Sequence, residues 1–174
     1  MQQTSKIFII GFMGSGKSTR GRHLASSLGW AFIDLDKKIE AMAGMTIPDI
    51  FSKKGETYFR RIESEALAST VSESKTVIST GGGTPCFGDN MDFMLANGLT
   101  VYLKMTPAIL LTRLAKSPEK RPLLKDFDKM AMSDFITAKL AERESWYSRA
   151  DITVDSIITD DSEFYSLIKS CIME

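Results

Sequence analysis

Short, mostly apolar runs recur along the chain, and between them apolar residues return three and four positions apart. The runs KIFII at 6–10, WAFID at 30–34, TVIS at 76–79, LTVYL at 99–103 and DITV at 151–154 predict five strands. The first and third are mostly apolar, as a strand buried on both faces should be. Leu24, Ala25 and Leu28 predict a helix that stops at Gly29, and Phe59, Ile62, Ala66, Leu67 and Val71 predict a second apolar stripe. Thr106 and Pro107 read as an N-cap and first-turn proline for a helix through Leu110, Leu111 and Leu114. Ile136, Leu140 and Tyr147 stripe a long helix, and Phe164, Leu167 and Ile168 a last one. Strands alternating with helices predict an α/β fold, a parallel sheet wrapped by helices. Two stretches depart from the alternation. Residues 36–71 hold only helical signal, and 116–130 (KSPEKRPLLKDFDKM) are charged, carry two prolines and lack a clear period. Insertions of this kind are where α/β enzymes place substrate contacts and lids.

Composition narrows the function rather than the fold. A chain of 174 residues suits one domain, spanning 1–174. Lys and Arg total 22 against 22 Asp and Glu, so there is no basic excess of the sort a nucleic-acid partner calls for. Cys86 and Cys171 are far apart and have no metal-ligand spacing, which fits free thiols in a cytoplasmic protein. The N-terminal segment lacks the apolar core and cleavage site of a signal peptide, and no run is long enough to span a bilayer. The expectation is a cytoplasmic protein with no membrane partner.

Candidate chemistry begins at Gly11-Phe-Met-Gly-Ser-Gly16-Lys17-Ser18, which matches GxxxxGK[ST] between a predicted strand and a predicted helix. Glycines in this loop let backbone N–H groups close around phosphate oxygens at the positive end of the helix. Lys17 supplies a compact charge for the β- and γ-phosphates, and Ser18 a hydroxyl for Mg²⁺. After the second strand come Asp34 and Asp36. On an extended chain, residues two apart point the same way about 7 Å from each other. Both carboxylates could then face the loop, one toward a metal and one toward an acceptor hydroxyl; the plainer alternative is an N-cap for the next helix.

Arg60 has Glu56 four residues before it and Glu63 three after it. These could be ordinary surface ion pairs, or acids that orient a guanidinium to grip a substrate carboxylate. Gly81, Gly82 and Gly83 follow the TVIS strand, either as a flexible turn or as bare backbone for a ligand to approach. Arg121 lies in the irregular insertion and Arg143 late on the long helix, each a candidate for phosphate or carboxylate as well as for plain surface charge. His23 is the only histidine, which leaves little for His-based nucleophilic or metal chemistry.

Taken in order, GFMGSGKS, the Asp34/Asp36 pair, GETYFRRIE, the glycine triplet, RPLL and Arg143 in RESWY resemble the shikimate kinase family over nearly the whole chain. The resemblance implies a three-layer P-loop fold with a five-stranded parallel sheet in the order 2-3-1-4-5. It implies transfer of the γ-phosphate of ATP to the 3-hydroxyl of shikimate by a monomer that uses Mg²⁺. ATP would be held by Gly14, Ser15, Gly16, Lys17, Ser18 and Thr19, with Arg113 against adenine and Arg121 on a lid over the phosphates. Ser18 and Asp34 would serve the metal, and Asp36 would contact the accepting hydroxyl and take its proton. Arg60, oriented by Glu63, and Arg143 would hold the carboxylate of shikimate. Gly81, Gly82 and Gly83 would donate backbone N–H groups to shikimate, and Phe51 and Phe59 would wall its ring. A gluconate- or nucleotide-phosphorylating P-loop kinase is the nearest alternative. A nucleotide switch is less apt, since NKxD and DxxG are missing from the sequence.

Overall fold

The computed structural model describes residues 5–116, 128–155 and 160–173. Five parallel strands form one sheet in the order β2-β3-β1-β4-β5, with β1 at Lys6–Ile10, β2 at Ala31–Asp34, β3 at Thr76–Ser79, β4 at Leu99–Lys104 and β5 at Ile152–Asp155. Central β1 is buried at every position. Alternation sends its side chains to opposite faces. Phe8 and Ile10 enter one core with Leu35, Ile39, Ile50, Phe59, Ile62 and Tyr147. Ile7 and Ile9 enter another with Leu24, Val101, Phe164 and Ile168.

Helices cover both faces, giving the three layers the sequence implies. On one side lie α1 (Lys17–Leu28) and, at the far end of the described chain, α7 (Asp161–Met173). On the other lie α2 (Leu35–Ala43), α3 (Ile47–Ala68) and α4 (Asn90–Asn97). Two further helices, α5 (Pro107–Ala115) and α6 (Lys129–Tyr147), enclose a smaller core of Phe12, Met105, Leu110, Leu114, Met132 and Ile136. Among the described residues, no helix is long and apolar enough to cross a membrane.

The segment 36–71 is helical, as its pattern indicates, but α3 is two helices joined at a kink. Gly55 sits there at φ 80°, ψ 172°, a conformation that a side chain would oppose. The stripe expected through Val71 stops earlier, because α3 ends at Ala68 and Val71 is exposed. Leu167 is likewise exposed, and α7 is held to the core by Phe164, Ile168 and Ile172, with Tyr165 partly buried beside them. Most of the lid expected at 116–130, including Arg121 and its RPLL run, lies outside the described residues; Asp128 at its end caps α6 by accepting from Ala131 N.

Candidate active site

The loop between β1 and α1 has the local structure its sequence requires. Gly16 takes φ 92° as N-cap of α1, and Gly14 also has positive φ. The backbone thus turns sharply into the start of α1, where the first N–H groups have no intrahelical acceptor. Lys17 is buried, and its Nζ donates to Phe12 O at 2.9 Å, which folds the ammonium back over the loop. The Ser15 hydroxyl is buried without a hydrogen-bond partner among the described residues. Arg113 Nη1 donates to Gly14 O at 3.4 Å, so the last turn of α5 stands on the outer rim of the loop.

An open cleft of about 370 Å³ extends from this loop and is lined by Gly14, Gly16, Lys17, Ser18, Thr19, Asp36, Gly81 and Gly82 among others. Ser18 Oγ donates to Asp34 Oδ2 at 2.9 Å and lies 3.1 Å from Ser79 Oγ. Three hard oxygens therefore meet beside Lys17 at the start of α1, a donor set suited to a hydrated divalent cation.

The two aspartates do not lie on one extended strand. Asp34 ends β2 and is the N-cap of α2, accepting from Lys37 N at 3.4 Å, while Asp36 is in the first helical turn. The capping reading and the metal reading of Asp34 are both compatible with its two oxygens, since Oδ1 caps the helix and Oδ2 faces Ser18. Helical geometry turns Asp36 into the cleft instead. Burial pushes its pKa from 3.8 up to about 6; the Lys17 charge opposes that rise, and the charges of Asp34, Glu63 and Glu40 add to it.

Arg60 is more than half of a surface ion pair. Its Nη1 donates to Glu63 Oε2 at 2.8 Å, and Glu63 is fully buried. The remaining Glu63 oxygen accepts from Thr84 Oγ1 at 2.6 Å. Glu56, by contrast, is exposed and 3.2 Å from Arg60. The guanidinium lies 3.7 Å over the Phe87 ring centroid and 5.1 Å from that of Phe59, so it is held flat between acids and rings. Arg143 reaches in from α6, 5.4 Å from the Phe12 ring centroid. Phe59 is buried and stacks on exposed Phe51 at 4.6 Å.

The glycine triplet is where these groups meet. A methyl built on Gly81 would stand 3.1 Å from Asp36 Oδ1 and 3.3 Å from Glu63 Oε1. On Gly82 it would stand 3.3 Å from Arg143 Nη1 and 3.3 Å from Met13 N in the phosphate loop. On Gly83 it would be 2.9 Å from Arg60 Nη1. Three consecutive residues at the end of β3 thus face the carboxylate, the second arginine and the first arginine in turn. They are bare because side chains crowd them, and not merely to make the turn flexible.

Ser79, Thr84, Phe87 and Tyr147 are site residues that the sequence reading missed. Tyr147 was visible only as part of an apolar stripe, yet its hydroxyl donates to Gly82 O at 2.5 Å. Ser79 and Thr84 flank the triplet, and adjacency to it was the one available signal. His23 has Asp161 4.0 Å away on the outer side of α1, remote from this chemistry.

The acceptor side of the cleft sets the class, a P-loop kinase for a small anionic molecule. The family model described as Shikimate kinase matches residues 13–172, and the chain belongs to that family. A shikimate kinase of Parabacteroides distasonis is 42% identical over 151 residues, 87% of each chain. The crystal structure of the Bacteroides thetaiotaomicron shikimate kinase superposes with a TM-score of 0.91 at 34% identity, covering 98% of this chain and 99% of that one. The Acinetobacter baumannii enzyme, solved in complex with shikimate, gives 0.87 at 33% identity over 99% and 94%.

Proposed function

We propose that the chain transfers the γ-phosphate of ATP to the 3-hydroxyl of shikimate, as a single-domain cytoplasmic monomer. Family membership supports the activity, and the convergence of Asp36, Arg143 and Arg60 on three successive glycines carries the assignment of residues. Shikimate, a hydroxylated ring with one carboxylate, enters the cleft with that carboxylate between Arg60 and Arg143. Glu63, anchored by Thr84, keeps the Arg60 fork in plane for a bidentate grip. Phe51 and Phe59 wall the ring, while N–H groups of Gly81, Gly82 and Gly83 meet its oxygens. The accepting hydroxyl then lies at Asp36, opposite the phosphate loop.

The reaction forms one P–O bond and breaks another, with one proton passing from the hydroxyl to Asp36. Asp36 accepts the hydroxyl proton, the hydroxyl oxygen attacks the γ-phosphorus, and the bond to the β–γ bridging oxygen breaks to leave ADP. With its pKa raised to about 6, Asp36 is ionised at neutral pH yet more basic than an ordinary aspartate. Lys17, the N–H groups of residues 14–19 and Arg121 oppose the charge spread over the transferring phosphoryl group. Arg113, on the rim beside Gly14, lies against adenine. Ser18 and Asp34, with Ser79 behind them, would hold Mg²⁺, which supplies further charge neutralisation at the phosphates. A coupled ADP-release assay over a panel of acceptors tests the reading. Shikimate should switch turnover on; turnover indifferent to shikimate but started by gluconate or a nucleoside monophosphate would overturn it.

A further inference from the structure

Arg143 and Tyr147 are four residues apart on α6 and so share a helix face. Tyr147 is fully buried, and its hydroxyl donates to Gly82 O at 2.5 Å across 65 residues of sequence. The Arg143 Nη1 stands beside the Gly82 Cα, 3.3 Å from where a methyl would project. A tyrosine hydroxyl has one proton to give and lone pairs to receive. Here the proton goes to the glycine carbonyl. Burial keeps the phenol protonated throughout the working pH range, so the arrangement is fixed.

The ring that carries this hydroxyl is itself anchored to the sheet. It packs on Tyr102 of β4 with centroids 5.0 Å apart. Tyr102 OH donates to Glu144 Oε2 at 3.0 Å, and Lys104 Nζ lies 2.7 Å from Glu144 Oε1. The end of α6 is thus pinned to β4 by a buried aromatic pair and a polar clasp beside it. Tyr147 ties the end of α6 both to the sheet and to the triplet.

We infer that Tyr147 is a positioning residue for the acceptor. Its single hydroxyl fixes the orientation of the Gly82 peptide against the α6 face that carries Arg143 one turn away, so that a backbone N–H and a guanidinium reach the same ligand in register. This rests on the acceptor site described above, and it adds a residue that has no contact with the reacting atoms.

Tyr147→Phe removes one oxygen and leaves the ring on Tyr102. The dissociation constant for shikimate, measured by calorimetry, should rise roughly tenfold, the scale of losing a hydrogen bond that orders a charged group. The constant for a non-hydrolysable ATP analogue should stay within about twofold, because no phosphate-loop group touches the hydroxyl. In the Arg143→Ala background the same change should cost markedly less. Unchanged shikimate affinity, an equal loss for shikimate and nucleotide, or full additivity with Arg143→Ala would each overturn the inference. If Tyr147→Phe does not fold, replacing Tyr147 by 4-fluorophenylalanine, which keeps the ring's length without a donor, carries the same expectations. Wild-type protein that ignores shikimate altogether would instead refute the acceptor assignment, and this inference with it.

Discussion

Asp36 should be a residue whose chemistry costs the fold stability, and the cost can be worked from its environment. Its pKa is raised from 3.8 to about 6, with burial as the first cause. The folded state therefore binds the Asp36 proton more tightly than the unfolded chain does. The stability this confers is fully present below pH 3.8 and is lost as pH rises through about 6. At 1.36 kcal/mol per unit, ionised Asp36 costs the folded state about 3 kcal/mol at neutral pH. Asparagine has nearly the same shape and never ionises. Asp36→Asn should then be more stable than the wild type at pH 7.5, by up to about 3 kcal/mol or about 10 °C in Tm for a chain of this size. The advantage should shrink through pH 6 and vanish near pH 4. Urea titrations of both proteins without ligands, at several pH values across that window, measure the difference. The same variant should lose kcat roughly a hundredfold or more while still binding shikimate, and the wild-type rise of kcat/KM with pH through about 6 should disappear. A variant less stable than wild type at pH 7.5, or a stability gap that ignores pH, would refute the reasoning. Shikimate binding lost together with turnover would reduce Asp36 to a positioning role.

The arginines should behave differently, because the carboxylate proposed to lie between them does not change charge in the reaction. Arg60→Lys keeps the charge but loses the fork, so KM for shikimate should rise with kcat little altered, which steady-state kinetics will show. Gly83→Ala places a methyl 2.9 Å from Arg60 Nη1, the far end of a flexible side chain. The fold should survive and the Arg60 grip should not, so an unshifted Tm with raised shikimate KM is expected. Arg121→Ala should lower kcat by roughly two to four orders of magnitude, the scale of lost transition-state charge stabilisation; a normal kcat with only a raised shikimate KM would contradict it.

What the sequence revealed and what it hid divide along a physical line. Strand β1 was plain because a strand buried on both faces must be mostly apolar, and β3 because its Val77 and Ile78 run directly into the glycine triplet's turn. The edge strands slipped by one residue at their starts for identifiable reasons. Trp30 N is taken by Ala25 O in closing the end of α1, so it does not join β2. Asp151 uses its carboxylate to accept from Thr100 N and Thr100 Oγ1, each at 2.7 Å, and clamps the loop before β5. The period-two geometry read for Asp34 and Asp36 does not hold, because Asp34 ends β2 and caps α2, which puts Asp36 in the first helical turn, although Asp34 Oδ2 still faces Ser18 and Asp36 still lines the cleft.

The phosphate loop was legible because its requirements are local, a fixed spacing of glycines, lysine and serine within eight residues. The acceptor side has no such local grammar. Glu63 meets Thr84 across 21 residues and Tyr147 meets Gly82 across 65, and no residue in either pair constrains its own neighbours. Each looks ordinary in sequence, as a helix glutamate or part of an apolar stripe. What linked them was the triplet, whose missing side chains leave room for Asp36, Arg143 and Arg60 to close on one short backbone. A run of glycines after a central parallel strand therefore says more about what surrounds it than about itself.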